Sequence, residues 1–361
     1  MAMAESLLLH DAFDFKGGGE RLVLSLCREL NLDLAYGQWC ADSFDLSDLP
    51  GQTFDLNGYS SLIGYRTINR YRAFTKRTRF LKKYRTVIYS GINAPLAVHN
   101  HRNGKNIFYC HTPPRALYDL REYQMNRLSF FRRFLVARYN DWFQPLYEEA
   151  VKHMDVVVAN SRNTQERLTR FLDLESVVVN PPCPTQWFQW KGQGDYYLSP
   201  ARLEGVKRVG RVLEAFSGLP DKKLIVTSSG PEFLQLREKY KSFSNISFTG
   251  PVEEEELRSL IGNAIATLYI PVDEDFGMSP VESMAAGKPV IGVREGGLIE
   301  TVMDGETGIL LNADPSIEQI RQGVMDLSPT RALSMREACE AQAQKFDEKI
   351  FINKMQSLIN S

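Results

Sequence analysis

The sequence predicts an α/β protein built from two doubly wound domains. Short apolar runs of four or five residues alternate with amphipathic helical patterns in both halves of the chain. Buried parallel strands have this compact apolar form because helices cover both faces of their sheet. At 361 residues the chain is long enough for two domains of ordinary size. Ligand sites in such domains lie at the carboxyl ends of the strands.

The first half contains five predicted strands, at 6–10, 86–89, 106–110, 156–159 and 177–179. Gly17, Gly18 and Gly19 follow the first strand and precede a helical pattern. Three glycines let a backbone approach a ligand closely, although they equally suit a flexible loop. Their spacing is not that of a dinucleotide-binding fingerprint. Asn160 and Ser161 predict the start of a further helix.

The second half predicts a renewed alternation of strands and helices. Its strands are expected at 196–199, 224–227, 246–249, 267–270 and 290–293. A glycine-containing segment at 191–194 follows a proline-rich break and predicts the end of a linker. We therefore expect an N-terminal domain at 1–190 and a C-terminal domain at 191–343. A last helix at 344–361 is expected to pack back on the N-terminal domain.

The composition is typical of a soluble globular protein, with 43% hydrophobic and 24% charged residues. No apolar run of about 18 residues occurs, so no membrane span is predicted. The first six residues lack the basic start and apolar core of a secretory signal. Five scattered cysteines without a C-x-x-C pair indicate neither a zinc site nor a disulfide framework. We expect a reducing, cytoplasmic compartment.

The segment 273–282 is the most informative stretch of the chain. Glu274 and Glu282 lie eight positions apart, and a helix is predicted to begin after Gly277. Its first amide groups would point at an anion. One carboxylate could then bind ribose hydroxyls and the other sugar hydroxyls. This pattern favours a nucleotide-sugar site, although two acids at this spacing are common on surface helices.

Arg202 and Lys207 follow a predicted strand and are candidates for a diphosphate site. A diphosphate leaving group needs compensating positive charge as its bond to the sugar breaks. The alternative is a solvated helix start. Cations at a helix N-terminus oppose the macrodipole by about 0.3–1 kcal/mol, which makes that alternative less favourable.

His111 is predicted at the carboxyl edge of a strand, where its imidazole could bind a sugar hydroxyl or transfer a proton. A lone histidine is more often structural. Pro113 and Pro114 follow it and favour a shaped loop, which supports the functional interpretation.

Taken in order, these motifs resemble the family 4 retaining glycosyltransferases of GT-B fold. The resemblance is carried by residues 17–20, 111–115, 199–207, 274–291 and 296–300. It covers nearly the whole chain and is densest at 196–311. It implies two Rossmann-like domains with an inter-domain cleft, the donor being held mainly by the second domain and the acceptor by the first.

The resemblance also implies roles for individual residues. Arg202 and Lys207 would hold the diphosphate, and Glu282 the ribose. Donor sugar and phosphate would be contacted by Glu274 and the amides of the following loop, which comprises Phe276, Gly277, Met278 and Ser279.

In the first domain, the loop containing Gly18 and Gly19 would close over the phosphates, and His111 would face the transferred sugar. Ser283 stands where the family usually has alanine, a change from which we expect little effect. Asp273 and Asp275 form a D-x-D pattern that other transferases use for a divalent metal. We expect no metal here, because Arg202 and Lys207 already supply positive charge.

The implied activity is transfer of a hexose from a nucleotide diphosphate sugar to a hydroxyl of a saccharide or lipid-linked acceptor, without a cofactor. Residues 111–115 resemble mannosyltransferases of bacterial polysaccharide or glycolipid synthesis, so GDP-mannose is the favoured donor. A UDP-hexose is the alternative. A nucleotide-sugar epimerase, an NAD-linked oxidoreductase and a non-catalytic membrane adaptor are rival interpretations. The absent G-x-G-x-x-G pattern speaks against NAD.

A basic and aromatic region at 66–143 is the second notable feature. Residues 66–138 hold seventeen Lys and Arg but only two acids, Asp119 and Glu122. Cations beside aromatic rings suit an anionic membrane surface. They also suit nucleic acid, but no nucleic-acid module is recognisable and we expect no such partner. A solvated face with buried rings is a further alternative. We expect a cytoplasmic protein that this region could attach to the inner face of the cytoplasmic membrane.

Overall fold

The structure, a computed structural model, describes residues 5–361 and all of their side chains except those at positions 63 and 64. Residues 1–4 of the N-terminal segment considered above lie outside that range. The chain forms two compact units. The first contains residues up to Asn180 together with Ile352–Ser361, and the second is Pro181–Phe351. Residues 181–190 thus belong to the second unit, where the Cys183 amide donates to the Phe346 carbonyl at 2.9 Å.

Within the described residues, the first unit carries a seven-stranded parallel sheet in the order β3-β2-β1-β4-β5-β6-β7. The strands are β1 (Ser6–His10), β2 (Asp33–Tyr36), β3 (Thr53–Asp55), β4 (Thr86–Ser90), β5 (Lys105–Cys110), β6 (Val156–Ala159) and β7 (Val177–Val178). The strand order reverses between β1 and β4. The carboxyl ends of these two strands therefore flank a topological switch point, where α/β sheets bind ligands.

In the part of the chain that the structure describes, the α-helices of this unit are α1 (Gly18–Glu29), α2 (Ile63–Lys76), α3 (Arg121–Asn126), α4 (Phe130–Val151) and α5 (Arg162–Leu172). Helix α1 buries Leu22, Val23 and Leu26 on one face, which follows its apolar periodicity. Ser161 caps α5 by accepting the Thr164 amide at 2.9 Å, as its position predicts.

The second unit carries a six-stranded parallel sheet in the order β10-β9-β8-β11-β12-β13, again counted over the described part of the chain. Its strands are β8 (Tyr196–Ser199), β9 (Lys223–Thr227), β10 (Ile246–Gly250), β11 (Thr267–Leu268), β12 (Val290–Val293) and β13 (Gly308–Leu311). The order reverses between β8 and β11, so the loops that follow these two strands share one edge of the sheet.

The helices of the second unit are α6 (Val209–Ser217), α7 (Phe233–Tyr240), α8 (Glu254–Asn263), α9 (Met278–Ala285), α10 (Leu298–Thr301), α11 (Ile317–Asp326), α12 (Pro329–Ser334) and α13 (Arg336–Gln344). The last helix, α14 (Glu348–Asn360), begins in the second unit, and its residues from Ile352 onward group with the first. Among residues 5–361, no helix combines the length and the apolar character needed to cross a bilayer.

The predicted α/β class and doubly wound architecture are confirmed. All ten predicted strands occur, with ends that differ by at most two residues. Strands β2, β3 and β13 were missed. Strand β2 has a polar start because Asp33 is buried and accepts hydrogen bonds from the Gln52 amide at 2.7 Å and the Tyr84 hydroxyl at 2.7 Å. A carboxylate satisfied by tertiary contacts therefore stands where an apolar run would be expected.

Candidate functional site

The loop after β11 holds Glu274 in a closely packed conformation. Asp273 and Gly277 adopt left-handed backbone angles, with φ of 43° and 87°. Between them Phe276 is buried, and its ring centroid lies 5.4 Å from that of Phe346. Gly277 is also the N-cap residue of α9, so its left-handed backbone sets the angle at which the loop joins the helix.

Gly296 and Gly297, in the turn after β12, pack directly against this loop. The Gly297 amide donates to the Glu274 carbonyl at 2.7 Å. A Cβ on Gly296 would lie 2.3 Å from that carbonyl oxygen, and a Cβ on Gly297 would lie 2.4 Å from the Phe276 Cα. The structure shows that these glycines support the loop that carries Glu274.

The first turn of α9 presents amide groups at the end of the same loop. The N-cap residue, Gly277, has no side chain that could cap them. A helix start combines N–H donors with partial positive charge, which suits a phosphate. Glu282 lies one turn further along and is buried, with 8% of its surface exposed. The predicted residues 276–279 and 282 are therefore placed on one helix start, close to Glu274.

Lys207 and Glu274 form an ion pair at this edge. The Lys207 ammonium donates to the Glu274 carboxylate at 2.6 Å and to the Tyr269 hydroxyl at 3.0 Å. Both charged side chains are only about one-fifth exposed. Burial by itself would lower the pKa of Lys207, but the negative charge beside it and its hydrogen bonds raise the pKa above the ordinary value. Lys207 therefore remains a cation at neutral pH.

Arg202 follows β8 at the same edge and is more exposed than Lys207. About half of its side chain is accessible, and its Nε lies 4.0 Å from a Glu204 carboxylate oxygen. The two predicted diphosphate residues thus differ in how far they are exposed to solvent.

Two polar side chains behind the site were missed by the sequence analysis. Tyr269 is buried next to Lys207 and accepts its hydrogen bond, while burial raises the pKa of the Tyr269 phenol and keeps it neutral. Thr267 donates to the Ser283 hydroxyl at 2.9 Å, and that hydroxyl donates to the Ser279 carbonyl at 2.9 Å. The serine at position 283 therefore has polar partners in the core. The available signal was that Thr267 and Tyr269 are polar residues within a predicted apolar strand, at 267–270.

In the first unit, His111 lies at the end of β5 within a hydrogen-bonded chain of three side chains. The Ser90 hydroxyl is 2.8 Å from His111 Nε2 and 3.0 Å from His10 Nδ1. Burial lowers the pKa of His111 to about 3 and that of His10 to about 4, and His10 contributes further to the shift of His111. Both imidazoles are therefore neutral at physiological pH, and His111 can hydrogen-bond a hydroxyl without adding charge.

The start of α1 lies against this histidine. A Cβ on Gly19 would lie 3.5 Å from the His111 ring, and one on Gly17 would lie 2.4 Å from a Glu20 carboxylate oxygen. A side chain at position 19 would therefore contact the imidazole ring. The structure brings together the predicted glycine loop, including Gly18 at the first position of α1, and His111.

Asp11, immediately after β1, is a residue that the sequence analysis missed. Its carboxylate accepts the backbone amides of Ile92, Asn93 and Ala94 at 2.7–2.9 Å. It also accepts the Asn93 side-chain amide at 3.0 Å. Asp11 therefore fixes the loop after β4 beside the histidine chain, a role that its position at a strand end could have suggested.

One group of three potential metal ligands occurs among the described residues. The ligand atoms of His99, Glu149 and His153 lie within 4.8 Å of one another, in an intermediate to exposed position. These residues are not part of the D-x-D segment at 273–275.

The second unit matches a known sequence family. Residues 187–346 match the family described as Glycosyl transferases group 1. The chain is 26% identical to the alpha-1,3/1,6-mannosyltransferase ALG2 of Dictyostelium discoideum. That alignment covers 64% of this chain and 64% of the relative, so the chain spans just under two thirds of the relative's length.

Solved structures with the same fold cover the chain more completely. Sucrose-phosphate synthase from Thermosynechococcus elongatus superposes with a TM-score of 0.79 at 17% identity and covers 98% of both chains. HepE of Anabaena, solved in complex with UDP and glucose, gives a TM-score of 0.74 at 15% identity over 98% of this chain and 99% of its own. These likenesses confirm the predicted GT-B fold, and the family match confirms the predicted resemblance to glycosyltransferases.

Proposed function

We propose that this chain, which carries a group 1 glycosyltransferase domain, transfers mannose with retention from GDP-mannose to a hydroxyl of a lipid-linked saccharide. The observation that carries the proposal is the partly buried Lys207–Glu274 pair beside the start of α9. A sugar diphosphate needs a cation and amide N–H donors for its phosphate oxygens, and a carboxylate that can accept hydrogen bonds from its hydroxyl groups. The similarity to a mannosyltransferase supports the choice of sugar.

Each residue at this edge receives a role in donor binding. Arg202 and Lys207 bind the diphosphate, and the amides of residues 277–279 bind phosphate oxygens. Glu274 contacts the transferred sugar, and Glu282 binds the ribose. A UDP-hexose is the second candidate donor, because a protein of the same fold has been solved with UDP and glucose.

The proposed reaction is a displacement on the front face of the sugar. The bond between the anomeric carbon and the phosphate oxygen breaks, and the diphosphate leaves with the electron pair. The acceptor oxygen bonds to the anomeric carbon from the same side, and its proton passes to the departing phosphate oxygen. Arg202 and Lys207 stabilise the negative charge that develops on the diphosphate.

His111 is proposed to bind a hydroxyl of the transferred sugar. A histidine whose pKa is about 3 carries no proton to donate as an imidazolium at neutral pH. Its role is then to orient the hydroxyl by a neutral hydrogen bond. Gly19 has no side chain to fill the space beside the imidazole, and the loop of Gly18 and Gly19 is proposed to close over the donor phosphates.

The test is a donor panel with purified protein and a membrane lipid extract. GDP-mannose and UDP-glucose are supplied separately, and products are followed by mass spectrometry. We expect lipid-linked product gaining one hexose with GDP-mannose, and loss of most of that product in Arg202→Ala. Absence of product with both donors, together with no thermal stabilisation by GDP or UDP, would refute the proposal.

A membrane partner is proposed for the exposed face at the start of α4. Phe130, Phe131 and Phe134 are 89%, 69% and 60% exposed, and Arg132 and Arg133 lie between them. Rings of this kind enter the headgroup layer while arginines pair with anionic lipid, which would attach a cytoplasmic protein to the inner membrane face.

Vesicle sedimentation tests this membrane proposal. We expect binding to vesicles containing phosphatidylglycerol but not to pure phosphatidylcholine, and weaker binding for Phe130→Ser/Phe131→Ser. Leu234→Ser is the matched control, since Leu234 is 77% exposed on α7 in the other unit. Equal vesicle binding by the two variants would contradict the proposed membrane partner.

A further inference from the structure

A small cavity in the first unit is lined by cations and aromatic rings. Its volume is about 60 Å³, room for one small charged group. The lining residues come from α2, α4 and the loop after β4: Arg66, Thr67, Arg70, Tyr71, Asn93, Tyr139, Trp142 and Phe143. None of them was singled out as a donor-binding residue.

Arg70 supplies the positive charge of this cavity without a counter-ion. It is half-buried, and over residues 5–361 its guanidinium has no hydrogen bond or ion pair. Of the two acids in the basic segment, Asp119 is paired with Arg115 at 2.6 Å. The nearby Asp11 carboxylate is occupied by backbone amides. A half-buried cation without a carboxylate partner attracts an anionic ligand.

Arg66 adds a second cation whose orientation is fixed. Its Nε donates to the Ser60 carbonyl at 3.0 Å, and its guanidinium lies 5.2 Å from the Tyr59 ring centroid. The two arginines occur four positions apart on α2, so they share one face of the helix. Together they offer several N–H donors to one ligand.

Aromatic rings form the rest of the wall. The Trp142 ring centroid lies 5.1 Å from that of Tyr71 and 5.9 Å from that of Tyr139, and Trp142 is 43% exposed. Pockets that combine apolar walls with a few polar groups bind organic ligands in a fixed orientation. A ligand whose charged group lies in the cavity would therefore place its carbon-containing part outside the cavity, against the aromatic rings.

Asn93 connects the cavity to the histidine edge. It lines the cavity, and its side-chain amide donates to Asp11, which follows His10 on β1. His10 is joined through Ser90 to His111. A ligand whose charged group occupies the cavity therefore has the strand edge of the same unit next to it.

We infer that this cavity binds a phosphoryl group of the acceptor, held by Arg70 and Arg66. The inference rests on the proposed function, since it assigns the acceptor to the unit that contains His111. A phosphoryl group offers more acceptor oxygens than a carboxylate and can satisfy both arginines and Asn93. The saccharide part of the acceptor then extends along the aromatic wall toward His111.

Fluorine NMR of the full chain labelled with 5-fluorotryptophan tests the site. The Trp142 signal is identified from Trp142→Phe and is followed during titration with inorganic pyrophosphate at constant ionic strength, in the presence of saturating GDP to occupy the donor site. We expect a saturable shift that weakens about tenfold or more in Arg70→Gln. Arg72→Gln is the matched control, because Arg72 is exposed on the same helix and does not line the cavity.

Equal weakening in the two variants, or a shift that never saturates, overturns the site. A second arm replaces pyrophosphate by phosphatidylglycerol vesicles. If only vesicles shift the Trp142 signal, the phosphoryl group belongs to a bilayer lipid, and the assignment to the acceptor fails.

Turnover separates this inference from the proposed function. Arg70→Gln should raise the KM for a phosphate-bearing acceptor about tenfold and leave the KM for the sugar donor unchanged. If Arg70→Gln and Arg72→Gln transfer sugar with the same KM for the acceptor, the proposed phosphoryl site is refuted, while the proposed function still stands. A saturable shift that depends on Arg70, in a protein that transfers no sugar, supports the site and refutes the function.

Discussion

The carboxyl edges of the two sheets differ in their charged groups. The edge of the second unit is ionic, with Lys207 and Glu274 paired at 2.6 Å in front of a helix start. The edge of the first unit is neutral, with His10, Ser90 and His111 joined by hydrogen bonds. All five histidines of the chain lie between positions 10 and 153, and the second unit has none. In the proposed function, the ionic edge stabilises charge and the neutral edge orients hydroxyls.

The cations of the two units also differ in their resting state. Lys207 has a carboxylate partner before any ligand arrives, whereas Arg70 has none within the chain as described. A paired cation can exchange one anion for another with little change in its own solvation. A half-buried cation without a carboxylate partner gains a counter-ion only when an anion binds. The predictions that follow test this contrast, beginning with the largest expected effect.

Replacing Lys207 by Met breaks the ionic edge. We expect kcat/KM to fall about a thousandfold, because the charge that stabilises the leaving group is lost. The control Arg237→Ala, at an exposed cation on α7, should retain full activity.

Lys207→Met also removes the cation that pairs with the partly buried Glu274 carboxylate, although Tyr269 remains beside that carboxylate. We expect a loss of about 1–3 kcal/mol in the free energy of unfolding. The double variant Lys207→Met/Glu274→Gln should recover stability in urea unfolding but not turnover. Recovery of turnover would show that the cation is structural.

Replacing Gly296 by Ala tests whether the Glu274 loop depends on its neighbour. Gly296 and Gly305 both have left-handed backbones, with φ of 59° and 82°. A Cβ at position 296 meets the Glu274 carbonyl at 2.3 Å, while one at position 305 meets nothing within 4 Å.

Both substitutions cost about 1 kcal/mol of backbone strain. Only Gly296→Ala adds steric overlap, for a total loss of about 3 kcal/mol in the free energy of unfolding. Turnover should fall with it. Equal losses for Gly296→Ala and Gly305→Ala would show that the loop accommodates the methyl group.

Acidification tests the neutral edge. The folded protein keeps His10 uncharged down to about pH 4, whereas the unfolded chain protonates it near pH 6.5. Its contribution to stability is complete above pH 6.5 and is lost as the pH falls. Between pH 6.5 and 5 the free energy of unfolding should fall by about 2 kcal/mol through His10 alone. Chemical denaturation at both pH values should show a smaller loss for His10→Asn than for the native chain; an identical loss contradicts the assignment.

The smallest effect is expected behind the ionic edge, at Ser283. Ser283→Ala removes the acceptor of the buried Thr267 hydroxyl and should cost about 1–2 kcal/mol in unfolding free energy. Adding Thr267→Val should restore most of that loss, since both polar partners are then gone. Turnover should remain close to the native value in both variants. A double variant less stable than the single one would show that the hydroxyls act independently.

Much of the fold and of the ionic edge could be predicted from local signals. Compact apolar runs located ten strands, and the glycine at position 277 marked the start of α9. The glycine loop at 17–19 and His111 were each identified without any indication that they touch. Strand β2 was missed because it begins with the buried Asp33, and β3 was missed because Thr53–Asp55 contains no apolar run. Strand β13, Gly308–Leu311, is apolar and was overlooked.

The sequence by itself determined the alternation of strands and helices, the placement of polar residues at strand ends, and the charge asymmetry of segment 66–138. These are local properties of spacing and composition. Only the tertiary structure decided that Lys207 meets Glu274, that Gly296 supports the loop that carries Glu274, and that Arg70 has no carboxylate partner among residues 5–361. Pairing depends on distances across the sheet, and a chain's local pattern does not contain those distances.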